Sequence, residues 1–213
     1  MKKYELLVDD TITFFGVQLF RIKALISFSG IEKGELGGYV ASEKNLSQSG
    51  DAWVSGNAKV SGNAKVSGNA KVSGNAKVYG NAWVYGDAEV YGDAWVSGNA
   101  KVSGNAWVYG DAWVYGDAKV SGNAWVSGDA EVSGNAEVCG NADYIVFKNT
   151  WSSGRYFTYT KSNKMWRAGC FYGNGDELIK KAYKDNKKSG DFYKAYVEFV
   201  EKLEEIENIH KEQ

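Results

Sequence analysis

Valine recurs at every sixth position from Val54 to Val138, fifteen times in succession, within a repeat that runs unbroken from Ser49 to Asp143. Inside one unit, Ala58–Ser61, apolar and polar residues alternate, which is the period of a β-strand with one buried face. Each unit also keeps an alanine and a glycine. The pattern therefore predicts one short strand per unit, with valine and alanine pointing inwards.

The pair after each strand, such as Gly62-Asn63, predicts a turn. Glycine accepts positive φ without strain, and Asn or Asp tolerates it better than other residues that carry a side chain. Three strands and three turns would close a triangular coil of eighteen residues. Fifteen valines then give about five regular coils, stacked at roughly 4.8 Å into a prism about 24 Å tall. The predicted fold class is mainly β, a parallel solenoid with a cap at each end.

The pattern of residues 1–48 predicts an N-terminal β cap. Tyr4–Val8 and Thr11–Phe15 flank Asp9-Asp10 as a candidate hairpin. Leu19–Phe28 reads as a further strand, and its expected buried face carries Phe20, Ile22, Ala24, Ile26 and Phe28. Val40 and Leu46 are six apart, so a first irregular coil begins there, and two extra residues before Val54 reset its register.

Residues 144–213 predict a separate α+β module. A strand at Tyr144–Phe147 precedes a hairpin across Ser162-Asn163, which joins Arg155–Thr160 to Met165–Phe171. Asp176 is a candidate N-cap for a helix to about Lys188, and Gly190-Asp191 starts a second helix. The apolar stripe of that helix is expected to pack on the hairpin and the last coil, with a partner-binding groove helix as the alternative. The stripe is Phe192, Tyr196, Phe199, Leu203 and Ile206.

The aliphatic-x-x-Asn-small-x units resemble the hexapeptide-repeat, left-handed parallel β-helix, and a right-handed or irregular β-solenoid is the alternative. The left hand follows from this resemblance alone. Arg21–Leu25, Gly34–Val40 and Glu43–Ser47 look like the start of uncharacterised hexapeptide-repeat proteins of bacteria, phages and prophages, some described as polymer-forming or transferase-like. Gly169-Cys170-Phe171 with the helices after it resembles a module of the phage-encoded members. The resemblance implies a phage or prophage origin, but it brings no settled activity.

Composition narrows the classes of function. The 213 residues carry a net charge of −1 with a pI near 6.0, which argues against a nucleic-acid partner. Cys139 and Cys170 are too isolated to predict a disulfide framework or a zinc site. Asp9-Asp10 interrupts any N-terminal apolar stretch, and no segment is long enough to span a membrane. The expected location is the cytoplasm of a bacterial host cell.

Catalysis is not expected from this sequence. Many hexapeptide-repeat β-helices are trimeric acyltransferases with a histidine base and coenzyme A bound between subunits. The one histidine here, His210, lies in the charged C-terminal tail, and no loop interrupts the repeat to wall a substrate pocket. Most turn residues are neutral Asn, which disfavours a calcium array. We therefore predict no catalytic residues, no cofactor and no metal.

The outward residues before and after each valine sort into three faces when the chain is stacked by eighteen. The first face carries Trp53, Lys71, Glu89, Trp107 and Trp125, with Tyr91 and Tyr109. The second face carries Lys59, Lys77, Trp95, Trp113 and Glu131, with Tyr79 and Tyr115. The third face carries Lys65, Trp83, Lys101, Lys119 and Glu137, with Tyr85 and Cys139. Large exposed aromatic patches mark contact surfaces, so the first two faces predict a homotrimer. Stacking between neighbouring coils, without any partner, is the alternative.

Two hypotheses of function follow, with an acyltransferase as a distant third. The first is a rigid, non-enzymatic trimeric scaffold that presents its C-terminal module. The second is a phage effector or anti-defence protein that binds a host protein or a small signalling ligand. Candidate partner contacts in the C-terminal module are its prominent aromatic residues, Trp151, Tyr156, Trp166, Phe171 and Tyr172.

Overall fold

In the computed structural model, which describes residues 2–211, each repeat unit between residues 53 and 138 forms a two-residue strand made of the outward residue and its valine. These strands, β4 to β18, are Trp53–Val54, Lys59–Val60, Lys65–Val66, Lys71–Val72, Lys77–Val78, Trp83–Val84, Glu89–Val90, Trp95–Val96, Lys101–Val102, Trp107–Val108, Trp113–Val114, Lys119–Val120, Trp125–Val126, Glu131–Val132 and Glu137–Val138. Each of the first twelve, β4 to β15, pairs in parallel with the strand eighteen residues onward, as Val96 does with Val114. The predicted three-sided coil is confirmed.

Backbone and side-chain ladders both hold the corners together. At one corner Gly98 has a φ of 66°, and the backbone N–H of Asn99 donates to the carbonyl of Gly116 at 2.7 Å. The Asn99 side-chain amide donates to Asp117 Oδ1, 2.9 Å away in the next coil. The corner residues therefore stack as an amide ladder, and this satisfies side chains that would otherwise compete for the backbone.

Valine and alanine alone fill the interior of the regular coils. Every valine and alanine of the repeat between Ala52 and Val138 is at most 1% exposed. Side chains this small leave room for only one turn geometry, so the uniform sequence gives a uniform prism.

An irregular first coil precedes the regular ones, as the sequence predicts. Strand β3, Leu36–Val40, places Val40 opposite Val60, and Leu46 forms a bridge to Val66. With Val54 these residues complete a first turn, so the parallel β-solenoid has about six turns. The buried Asn45 takes the first corner, where its amide donates to the carbonyls of Gly62 and Ala64 at 3.0 and 2.8 Å.

The N-terminal cap differs in detail from the prediction. Strand β1, Tyr4–Phe14, runs straight through Asp9-Asp10, because a bulge between Leu7 and Thr11 absorbs the extra residues. The turn lies at Phe15-Gly16, where both residues have positive φ. The hairpin predicted around Asp9-Asp10 is therefore wrong.

The strand predicted over Leu19–Phe28 is shorter than expected. Strand β2 is Val17–Ala24, and its fully buried residues are Leu19, Ile22 and Ala24. A second irregularity, between Arg21 and Lys23, breaks the simple alternation. Phe28 instead belongs to a tight turn in which its N–H and carbonyl bond to Ile31.

Lys3 is a buried cation that joins this cap to the first coil. Its ammonium donates to the carbonyls of Gly50 and Ala52 at 3.1 and 2.7 Å and lies 5.0 Å from the centre of the Phe28 ring. Burial lowers the pKa of Lys3 to about 8, although the nearby Asp51 carboxylate acts in the opposite direction.

We predict that the free energy of unfolding rises as the pH is raised from about 8 to about 10. In that window the unfolded chain still binds the Lys3 proton that the folded chain has released, so alkali favours the folded state by up to roughly 2 kcal/mol. Above that window the trend reverses, because burial raises the pKa of Tyr4 and the folded chain resists its ionisation. Urea unfolding at several pH values tests this.

The matched comparison for this prediction is Lys3→Met. Lys59, whose pKa is lowered by burial and by Lys77, titrates in the same direction in both proteins. The difference between the two pH profiles therefore isolates Lys3. If the two profiles rise in parallel, Lys3 does not carry the dependence.

Residues from Ile145 form a second compact unit. A four-stranded sheet combines β19, Tyr144–Lys148, β20, Tyr156–Thr160, β21, Met165–Ala168, and β22, Phe171–Gly173. The hairpin predicted across Ser162-Asn163 is confirmed, and it pairs Thr160 with Met165. Two helices follow, α1, Gly175–Asp185, and α2, Lys187–Lys211.

The helix boundaries correct the prediction. Asn174, and not Asp176, caps α1: its side chain accepts from the N–H of Glu177, whose carboxylate accepts from the N–H of Asn174, both at 2.9 Å. Asn186 follows the end of α1 and accepts from the N–H of Ser189 at 2.8 Å. Helix α2 therefore begins at Lys187, and the predicted start at Gly190-Asp191 lies inside it.

The apolar stripe of α2 is rotated from its predicted position. The fully buried residues are Val197 and Val200, which pack with Phe157, Trp166 and Leu178 in the core of this unit. Within the predicted stripe, Tyr196 packs against that core and Leu203 is half-buried, but Phe192, Phe199 and Ile206 are 39%, 51% and 43% exposed. The small valines define the buried face, because the tight core of this unit leaves the larger aromatic residues at its edge.

Candidate interaction faces of the solenoid

The sheets of the solenoid reproduce the three faces that stacking by eighteen predicts. The first face is the sheet β4-β7-β10-β13-β16, the second is formed by β5, β8, β11, β14 and β17, and the third is β6-β9-β12-β15-β18. Because the strands are in parallel register, Trp95 lies beside Trp113, and Trp107 lies beside Trp125.

Two pairs of aromatic rings stack on the first face. The rings of Trp107 and Trp125 are 5.3 Å apart with an interplanar angle of 9°, and those of Tyr91 and Tyr109 are 5.0 Å apart at 3°. Tyr91 also meets Trp107 edge-on at 6.2 Å. Burial is the main cause of the raised pKa of Tyr91. Trp125 is nevertheless 46% exposed, so the cluster leaves apolar surface in contact with solvent.

The second face carries a comparable cluster. Trp95 and Trp113 stack at 5.1 Å and 10°, and Trp113 is 45% exposed. Tyr79 meets Trp95 edge-on at 5.9 Å, while Tyr115 donates a hydrogen bond to Glu131 at 3.3 Å. The predicted interface candidates thus lie together on each face, as the register requires.

The N-terminal hairpin adds a residue to the second face that the sequence did not suggest. Phe15, at its tip, lies 5.8 Å from the Tyr79 ring and 6.2 Å from the Trp95 ring, and it is 67% exposed. A turn at Asp9-Asp10 would not bring Phe15 to this position. Lys77 also contacts this cluster, with its ammonium 4.5 Å from the centre of the Trp95 ring.

Two tryptophans of the faces serve local packing. Trp53 is only 4% exposed and lies against Tyr4 and Phe28 of the cap. Trp83, on the third face, donates to the hydroxyl of Ser67 at 3.0 Å and packs on Tyr85. The third face therefore has no pair of stacked tryptophans like those of the other two.

One corner column collects acidic residues between the two aromatic faces. Asp93, Asp111 and Asp129 occupy the same corner of three successive coils, each following a strand of the first face and preceding one of the second. Lysines dominate the early coils, and an ion pair between Lys119 and Glu137 at 2.7 Å joins two late coils. The acidic column follows from the eighteen-residue period of the sequence. It becomes apparent only when the corner residues are aligned separately from the outward residues of the strands.

The second unit uses most of its candidate contact residues internally. Trp166 is 2% exposed in the core, Trp151 stacks on Phe192 at 4.6 Å, and Phe171 is half-buried beside them. Tyr156 and Tyr172 are the exposed members of the set, at 39% and 36%. Trp166 and the half-buried Trp151 and Phe171 stabilise the fold of this unit, which leaves Tyr156 and Tyr172 as its exposed candidates.

A polar cavity of about 230 Å³ lies in the second unit. It is lined by Tyr159, Lys164, Glu201 and Glu204, among others. The Tyr159 hydroxyl donates to Glu204, and burial together with this bond raises the pKa of Tyr159. The carboxylates that line this cavity outnumber its cationic side chains, and this disfavours an anionic ligand such as a nucleotide.

The histidine and the two cysteines that could serve in catalysis or metal binding do not form a common site. His210 is exposed near the end of α2, and Cys139 and Cys170 are free, exposed thiols in different units. Across the described residues, no group of three His, Cys, Asp or Glu side chains is placed to hold a metal ion. None of the described helices has the length and apolar character needed to span a membrane.

The comparisons with known proteins point to the repeat. Residues 70–86 and 100–116 match the family model described as the YdcK beta solenoid repeat. No curated protein matches the chain. The matched stretches contain strands β7 to β9 and β12 to β14 of the parallel coils. By sequence and by structure, this chain is a β-solenoid repeat protein.

Proposed function

We propose that this protein is a non-enzymatic scaffold whose rigid solenoid associates with copies of itself and presents the second unit to a partner. The observation that carries the proposal is the pair of tryptophan stacks, Trp107/Trp125 on one face and Trp95/Trp113 on the next, each of which leaves one ring, Trp125 or Trp113, exposed. The resemblance to hexapeptide-repeat proteins of phages makes a host protein the expected partner of the second unit.

Exposure of these rings favours a contact surface over packing between coils alone. A buried tryptophan removes roughly 150–250 Å² from water, and stacking on one neighbour covers only part of that area. Lysine or glutamate fills the same column at other coils, such as Lys71 and Glu131, so the fold does not require an aromatic residue there. A contact beyond the coil therefore accounts better for the repeated tryptophans than packing between coils does.

A trimer is the arrangement that we propose. Around a threefold axis parallel to the solenoids, the first face of one copy turns towards the second face of the next at equal height, with the corner between these faces nearest the axis. Trp107 and Trp113 belong to the same coil, so they would lie level across each of the three interfaces. The same arrangement places Lys71 level with Lys77, and this like-charge contact should make association stronger as salt is added.

We expect the native protein to sediment as a trimer and the double variant Trp107→Lys/Trp113→Lys to sediment as a monomer. Each substitution installs a residue that the repeat already accepts at that position, so loss of the coil is not expected. Aromatic anchors at the centre of an interface typically contribute about 2 kcal/mol or more each, so losing both corresponds to roughly 1,000-fold weaker association at each interface. Sedimentation velocity over a range of concentrations measures it.

Trp83→Lys is the matched control, because it makes the same change on the third face, where Trp83 is 40% exposed. It should leave the mass unchanged. A native monomer at high micromolar concentration, or an equal effect of the control variant, would refute the proposed interface. Far-UV circular dichroism verifies that all variants keep the solenoid.

A further inference from the structure

A cavity of about 220 Å³ lies on the first face, away from the tryptophan stacks. One wall is the tight turn at Phe28–Ile31, closed by two backbone hydrogen bonds of 3.0 and 2.7 Å. Ser29 and Gly30 hold the positive φ values that this two-residue turn requires. The other wall is the outward column Trp53, Lys71 and Glu89, from three adjacent strands. Both walls are therefore fixed by backbone hydrogen bonding, so the cavity is preformed.

The lining combines both kinds of hydrogen-bonding group around an apolar surface. The carboxylates of Asp51 and Glu89 accept, the Lys71 ammonium donates, and the hydroxyls of Ser55 and Ser73 do both. Ile31 and the small exposed part of Trp53 supply the apolar surface. The indole N–H of Trp53 is buried and has no hydrogen-bond partner among the described residues. A few polar groups converging beside an apolar surface are typical of small-molecule sites.

We propose that this cavity binds one sugar unit of a saccharide. Sugar hydroxyls donate and accept at once, so adjacent hydroxyls can satisfy a carboxylate and an ammonium together without bringing a charge into the cavity. A negatively charged ligand would be repelled by the carboxylates, and a positively charged ligand would be repelled by Lys71. The volume of about 220 Å³ suits one ring and is smaller than the roughly 300–1,000 Å³ of pockets that hold drug-sized ligands.

The residues that follow Glu89 along the first face extend the proposed saccharide site. Beyond Glu89, the same column continues with Trp107, and the parallel column begins its stacked tyrosines at Tyr91. Aromatic side chains next to a polar subsite suit the alternating polar and apolar surfaces of further sugar rings. An oligosaccharide is therefore expected to bind more tightly than its monosaccharide.

The test is titration calorimetry with glucose, N-acetylglucosamine, maltotetraose, cellotetraose and chitotetraose. We expect at least one tetrasaccharide to bind, more tightly than its monosaccharide, and Glu89→Gln or Asp51→Asn to weaken it at least tenfold. Glu137→Gln is the matched control, because Glu137 holds the equivalent position on the third face with Lys119 as its partner. It should leave the affinity unchanged.

A second readout locates the ligand. In ¹H–¹⁵N spectra of the indole groups, the Trp53 signal, assigned by its loss in Trp53→Phe, should shift on titration more than that of Trp83. The proposal fails if no saccharide of the panel binds at millimolar concentration, if Glu89→Gln and Asp51→Asn bind normally, or if zwitterionic glycine binds in their place. Repeating the titration with Trp113→Lys, changed on the second face only, separates this site from self-association: further sugar rings would cover Trp107 and Tyr91 of the proposed interface, so the tetrasaccharide should bind this variant at least as tightly as the native protein.

Discussion

Replacing Gly98 with alanine should destabilise the solenoid by about 3 kcal/mol, one of the largest effects of any single methyl group in this chain. Two costs combine. Gly98 has a φ of 66°, where a residue with a Cβ loses roughly 1–2 kcal/mol. The added Cβ would also lie 2.8 Å from the nitrogen and 2.9 Å from the oxygen of Gly116 in the next coil. Because those atoms belong to backbone, neither coil can yield without disturbing the hydrogen bonds between them.

The repeat supplies a control that separates the two costs. Gly128 has a similar φ of 62°, but a Cβ added there would have no atom within 4 Å outside its chain neighbours. Gly128→Ala should therefore lose only the conformational share, about 1 kcal/mol. Urea unfolding of both variants, followed by far-UV circular dichroism, gives the comparison. Equal losses would show that the stacking distance between coils does not constrain the corner.

The same corner explains why the repeat is so readily predicted from the sequence. Glycine at a positive φ, a corner amide that continues a ladder and a small inward pair leave one way to turn the chain. The period of six then fixes the face of every outward residue, so the spacing alone places Trp95 beside Trp113. Where the fold is periodic, candidate interface residues that share a face can therefore be found by counting residues along the sequence.

The ends of the chain follow local chemistry that periodicity does not express. A bulge carries β1 through Asp9-Asp10, although that pair resembles a turn. Asn174 and Asn186 cap the helices because their side chains meet backbone N–H groups, whereas the better-known capping signal at Asp176 lies within the first turn of α1. For the turn and for the caps alike, the sequence offers more than one polar residue that could take the role. Tertiary packing determines which of them lies beside the backbone groups in question.

The cavity on the first face could not be predicted for a related reason. Its column of Trp53, Lys71 and Glu89 follows from the period, but its other wall is the turn at Phe28–Ile31. The sequence pattern places that segment at the end of a strand, which would leave the column open to solvent. A site formed between a periodic element and an irregular one becomes visible only when the irregular one is placed.

Replacing Trp166 with alanine should destabilise the second unit by about 3–5 kcal/mol and leave the solenoid intact. Trp166 is 2% exposed, and its ring lies 4.9 Å from Tyr159, 5.9 Å from Phe147 and 6.1 Å from Phe157. The variant therefore opens a large cavity at the centre of a small core, where few neighbours can collapse into it. The residues up to Tyr144 bury a separate core of valine and alanine, so they should not depend on this side chain.

Hydrogen exchange resolved by peptide distinguishes the two outcomes. In Trp166→Ala, amides of the hairpin and of α1 and α2 should lose protection, while amides of the repeat keep that of the native protein. Tyr172→Ala is the matched control, since it removes an aromatic residue that is 36% exposed in the same unit and should cost far less. Loss of protection across the repeat in Trp166→Ala would instead mean that the solenoid takes its stability from the second unit. That result would overturn the view of the repeat as a self-sufficient scaffold, because a scaffold must persist when the part it carries unfolds.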